Sequence, residues 1–161
     1  MKLSPLQLAY YRVVELSVST RFDIDPMTNP SDAIQNQIDA TLQFNHDVEE
    51  DDEETSAWTI NLSLDFVPEE KDNSPYEFHV GLFGVFRCSN ILPAGLDAER
   101  MVGINGTSVI YGIARELIHG ITEKSLWGDL TLPTMSFTDF REMLPKEESN
   151  IEDRPRSSIT G

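Results

Sequence analysis

The stretch "IYGIARELIHGITEKSLWGDLTLPTMSF", Ile110 to Phe137, decides the fold, because here the hydrophobic repeat changes period. Ile110, Ala114, Leu117, Ile118 and Ile121 recur at helical spacing, while Glu116, Glu123 and Lys124 fall on the opposite side. That pattern predicts one amphipathic helix. Thr107 or Ser108 can cap its start, and it runs to about Glu123–Ser125. "TLPTM" is expected to be extended around Pro133, and "SFTDF" offers a capping box with Ser136 as N-cap and Asp139 three residues on. Phe137, Phe140 and Leu144 then form the apolar stripe of a short second helix. A helix of about two turns is not stable alone, so this one must dock.

Working back from Ile110, the chain alternates. "YYRVVELSVSTRFDID" (10–25) places Val14, Leu16, Val18, Thr20, Phe22 and Ile24 on one side and Val13, Glu15, Ser17 and Ser19 on the other. A period of two predicts a strand. "PMTNPSD" (26–32) reads as a loop. "QIDATLQFNHDV" alternates again, with Ile38, Ala40, Leu42, Phe44 and Val48 on one face. Seven acids between Asp47 and Glu54 repel one another and stay solvated, which suits a hairpin connection. "AWTINLSLDFV" sets Trp58, Ile60, Leu62, Leu64 and Phe66 opposite Thr59, Asn61, Ser63 and Asp65; "YEFHVGLFGVFRC" follows with Tyr76, Phe78, Val80 and Leu82 in phase. Four strands followed by two helices predict an α+β fold: a four-stranded antiparallel sheet, a long helix packed on one face and a short C-terminal helix.

The chain has 161 residues, enough for one core, expected over 1–144, with a polar and disordered tail over 145–161. Its net charge of −16 disfavours nucleic acid and anionic membrane surfaces, which would repel it. Cys88 is the single cysteine, so no internal disulfide can form and a reducing, cytoplasmic setting is expected. The N-terminus lacks the apolar run of a signal peptide, and no apolar run approaches membrane-spanning length.

Reactive chemistry is sparse. His46, His79 and His119 lie outside metal-ligand spacing of one another, and "GINGTS" lacks the lysine of a phosphate-binding loop, so no metal and no cofactor are expected. Glu116 and His119, three residues apart on the helix, are the one acid/base candidate, and a solvated helix face accounts for them more simply. The acidic run lacks the ligand spacing and glycine of a calcium loop. What remains is apolar surface, which points to binding rather than catalysis.

The segment "GTSVIYGIARELIHGITEKSLWGDLTLPTMSF" resembles the SecB family of export chaperones. Ala114-Arg115-Glu116 and Ile118 match the family's helix, and Trp127, Leu130, Leu132, Pro133, Met135 and Phe137 its linker; "GVF" (Gly84–Phe86) is similar to the end of its fourth strand. The likeness covers about residues 8–144. It implies a homotetramer that holds unfolded or precursor polypeptides without ATP, in hydrophobic grooves between the short helix and the long first loop. Client-binding residues would be Met27, Trp127, Met135, Phe137, Phe140 and Leu144. Replacing Phe140 by Ser is then expected to weaken holding and leave the melting temperature nearly unchanged. Family members in protein export pass clients to the SecA motor through three acids on the exposed sheet face. Here Glu15 remains, while Ser19 and His79 stand at the other two places, so SecA contact is expected to be weak. A solitary SecB-like chaperone of an antitoxin, in a toxin–antitoxin system, is therefore an alternative. Other readings of the same pattern are a hotdog-like small-molecule binding protein or enzyme, and an adaptor that assembles through its sheet edge.

Overall fold

A computed structural model describes residues 3–24, 37–69, 72 and 74–144; Met27, the loop around it and the tail 145–161 lie outside the described residues. Strands β1 (Leu6–Thr20), β2 (Asp39–His46), β3 (Thr55–Phe66) and β4 (Tyr76–Ser89) form one antiparallel sheet in the order β1-β4-β3-β2. The architecture is the expected α+β arrangement of a sheet with a long helix on one face. In β2, β3 and β4 the alternation fixes the register: Leu42 pairs with Leu62, and Leu62 with Leu82, so one apolar set faces the helix across three strands. Burying each large side chain contributes about 1.5–3 kcal/mol before conformational entropy is charged against it.

β1 departs from simple alternation. Its pairing with β4 slips at Ala9 and again at Val14, each an extra residue with no partner. Leu6, Leu8, Tyr11, Val13, Leu16 and Val18 therefore share the helix side, and Val14, expected beside Leu16, stands in a bulge with 68% of its surface exposed. The strand also begins at Leu6 and ends at Thr20, four or five residues before the expected positions. The acidic run connects β2 to β3 as expected, through a 3₁₀ turn at Val48–Glu50 that takes Val48 off the strand's inward face, where the alternation had placed it, and leaves it exposed. Asp52 organises it by accepting the Thr55 hydroxyl (2.9 Å), the Thr55 N–H (2.6 Å) and the Glu54 N–H (2.9 Å), and these bonds, the hydroxyl's first, hold its carboxyl below the usual range.

The helix starts nine residues before Thr107. Helix α1 (Ala98–Met101), a π turn (Val102–Gly106) and α2 (Thr107–Thr122) run without interruption. The cap is Asp97, whose carboxylate accepts the Arg100 N–H at 2.7 Å. Val102, Ile110, Ala114 and Ile118 are fully buried in the core that the sheet's apolar face builds. Gly84 allows this approach: a Cβ there would overlap Ile110 Cδ1. Cys88, at the far end of β4, pairs with Leu6 and Ser56 and is fully buried.

Candidate functional site

After α2 the chain turns at Gly128 and runs back along the helix. The turn is pinned to the sheet's end: the Tyr76 hydroxyl bonds the Gly128 carbonyl and contacts the Ser125 hydroxyl, and the Trp127 indole N–H donates to the Arg21 carbonyl at 3.0 Å. The returning linker is fastened at three points. Leu130 N–H donates to the buried Thr122 hydroxyl (2.8 Å), Arg115 donates to the Leu132 carbonyl (3.0 Å), and Tyr111 donates to the Pro133 carbonyl (2.7 Å). Phe137 then sets its ring edge-on to Tyr111, 5.4 Å between centroids.

The short C-terminal helix is a single 3₁₀ turn, Phe140–Met143. The expected capping box does not form: neither Ser136 nor Asp139 caps the turn, and the Ser136 hydroxyl instead meets that of Thr138. Phe140 is the anchor. Its ring lies on Gly103 of the π turn, where any Cβ would overlap it, and stands 5.6 Å from the ring of Phe44. From Phe44 the aromatic row continues to Trp58 at 5.0 Å and to His46, whose imidazole stacks on Trp58 at 4.3 Å and pairs with Asp51 at 2.8 Å. Beyond the ring, half-buried Met143 and Leu144 pack against the core, and an exposed ion pair joins Arg141 to Glu99 at 3.0 Å.

This geometry sets Phe137 against Tyr111 and Phe140 against Gly103 of the helix, with Met135 and Leu144 packed against the same core and Trp127 tied to Arg21 at the start of the linker. Phe137 and Phe140 are each only 3% exposed, whereas Trp127, Met135 and Leu144 are half-buried. The expectation that Phe140→Ser would spare the melting temperature is therefore corrected, because the ring fills a closed socket. Sequence reasoning missed Gly103 and Phe44. A glycine inside an apolar helical run was the available signal for a close approach. Glu116 and His119 form no pair: Glu116 is exposed, and His119 Nδ1 faces Asp129 at 3.4 Å.

The opposite face of the sheet carries Glu15. Because of the Val14 bulge it pairs with Gly81, next to a shallow hollow of about 290 Å³ lined by Thr41, Gln43, Asn61, Ser63 and His79. His79 reaches Glu15 with Nε2 at 3.2 Å and contacts Asp65 with Nδ1. The bond to Asp65 chiefly, with the charges of Asp65 and Glu15, raises the imidazole pKa above its ordinary 6.5, against a smaller opposing effect of burial. Ser19 pairs across to Glu77, a further acid on this face that the sequence reading did not use. Among the described residues no group of three or more His, Cys, Asp or Glu side chains is arranged to hold a metal ion, and no helix is long and apolar enough to cross a membrane.

No family model matches this sequence, and no curated protein matches it. Solved structures do. A Streptococcus agalactiae protein of unknown function superposes with a TM-score of 0.55 at 13% identity, over 80% of this chain and 97% of that one. The Mycobacterium tuberculosis SecB-like chaperone Rv1957, in complex with a ChAD peptide from the HigA1 antitoxin Rv1956, gives a TM-score of 0.48 at 16% identity, over 81% of this chain and 90% of that one. At these identities the likeness is one of fold.

Proposed function

We propose that this chain is an ATP-independent holdase, a binding protein and not an enzyme, which takes up extended, unfolded polypeptides along the helix in the cytoplasm. The observation that carries this reading is how the Phe140 turn is held. The linker is bonded through Pro133, but residues 138–144 are kept down by the Phe140 ring on a glycine floor, by the half-buried Met143 and Leu144, and by an ion pair whose partners are 65% and 47% exposed. A pair so exposed is worth about 0.2–1 kcal/mol. Lifting the turn uncovers Gly103, Phe44 and Trp58, an apolar strip continuous with Met135 and Phe137. An extended client that replaces the turn buries several side chains at about 1.5–3 kcal/mol each, and after the cost of ordering it the affinity falls near the micromolar range. The segment resemblance to SecB supports the same reading. In the test, a chemically unfolded enzyme is diluted into buffer without nucleotide and its light scattering followed. Suppression by about one equivalent of this protein is expected; unchanged aggregation overturns the reading.

The assembly we propose is a homo-oligomer, a tetramer in which edge pairing of two copies is one of the contacts. β1 has no partner on its outer edge among the described residues, and Tyr10, Tyr11, Val13 and Val14 are all exposed along it. A long apolar edge strand of this kind favours pairing with a second copy. Light scattering that finds an 18.2 kDa particle at micromolar concentration would sink this.

Of the two client routes, we favour a solitary chaperone, with an antitoxin among its candidate clients, over export. The Glu15 carboxylate is already engaged by His79, which leaves it poorly placed to meet a SecA tail. Calorimetric titration with that tail is expected to give little heat. Tight binding abolished by Glu15→Gln would return the protein to export.

A further inference from the structure

The middle of β1 needs something besides the ladder to hold it. Val14 has no partner, and Glu15 lies opposite a glycine, so neither residue gains a cross-strand side-chain contact from its neighbour on β4. His79 supplies one diagonally. It spans the sheet, meeting Glu15 on β1 through Nε2 and Asp65 on β3 through Nδ1. We propose that Glu15, His79 and Asp65 form a proton-operated clamp that fixes the bulged middle of edge strand β1 to the rest of the sheet.

The chemistry follows from the donor count. A protonated imidazole has two N–H groups and donates one to each carboxylate; the neutral ring has one, so its other nitrogen turns a lone pair toward a carboxylate. The nearest other acids on this face act in the same direction, while the cations Arg12, opposite Phe83, and Arg21, opposite Pro75, stand toward the two ends of the face. Asp39 on β2 lies directly across from Asp65, and Glu77 stands two residues before His79 on β4; both add negative potential that favours the protonated ring. Across from His79 on β1 stands Ser17, which is neutral. The sign follows from the upward shift: the clamp is fully engaged below about pH 6.5, the ordinary histidine value, and releases as pH rises through the higher folded value. Mild alkali therefore loosens the free edge strand.

Amide hydrogen exchange of the full chain between about pH 6 and about pH 8.5, corrected for the intrinsic rate, reads this directly. Protection of the Ser17 and Ser19 amides, which point across the ladder to β4, is expected to fall about two- to fivefold relative to Leu62 in β3 as pH rises, the range a partly exposed charge pair allows. In Glu15→Gln, which changes a mostly exposed side chain, and in His79→Gln, that pH-dependent difference should vanish. NMR titration should show His79 above its ordinary pKa, and Asp65→Asn should bring it down. An unchanged pH dependence in Glu15→Gln, or a wild-type His79 that titrates at or below the ordinary value, overturns the clamp. The wild-type titration decides the matter even if His79→Gln fails to fold.

Discussion

Phe140 and Gly103 are one feature divided between two places in the chain. The ring occupies the volume that a side chain at 103 would need, and each residue makes sense only with the other. Phe140→Ala is expected to cost about 3–5 kcal/mol in urea denaturation, because the socket cannot collapse onto the helix backbone. Gly103→Ala should cost about 1–3 kcal/mol, since its new methyl drives into the ring. In the double variant the methyl meets no ring, and alanine outperforms glycine in a helix by about 0.5–1 kcal/mol. The second change should then be neutral or favourable, and a double-mutant cycle measures this; additive costs would show that the two residues are not coupled. The apolar phase of Phe137 and Phe140 could be read from the sequence. That Phe140 seals its own strip could not, because the glycine beneath it lies far upstream and sequence spacing carries no information about that meeting.

Legibility at the level of elements followed regularity. β2, β3 and β4 repeat every second residue without a slip, so their inward faces were readable, and so was the role of the acidic run between β2 and β3. β1 was misread at Val14 because each bulge adds a residue and reverses the alternation beyond it. The helix start was misplaced for a similar reason: the π turn at Val102–Gly106 breaks the 3.6-residue period, so the pattern became clear only from Ile110. Asp97 as the true cap gives a test. Asp97→Ala should lower stability by about 1 kcal/mol and speed exchange of the Arg100 amide; an equal loss from Ser108→Ala, with none from Asp97→Ala, would place the helix start at the later position.

For the molecule as a whole, the net charge of −16 is borne mostly on the surface, and the seven acids after β2 concentrate it at one end. Moderate salt screens that repulsion over a Debye length of about 8–10 Å, so the melting temperature should rise between about 20 and 300 mM sodium chloride; a fall would mean that attractive pairs dominate. The same sheet gives the chain a built-in clock. Cys88 is the single thiol, fully buried between Leu6 and Ser56, and burial pushes its pKa up. Its side chain lies on the core face of the sheet in phase with Phe86, so a thiol reagent reaches it only when the core opens at that end. The labelling rate thus counts events that open the core at this end of the sheet, where Trp58 pairs with Phe86 under the aromatic row that Phe140 closes, and Phe140→Ala should raise it.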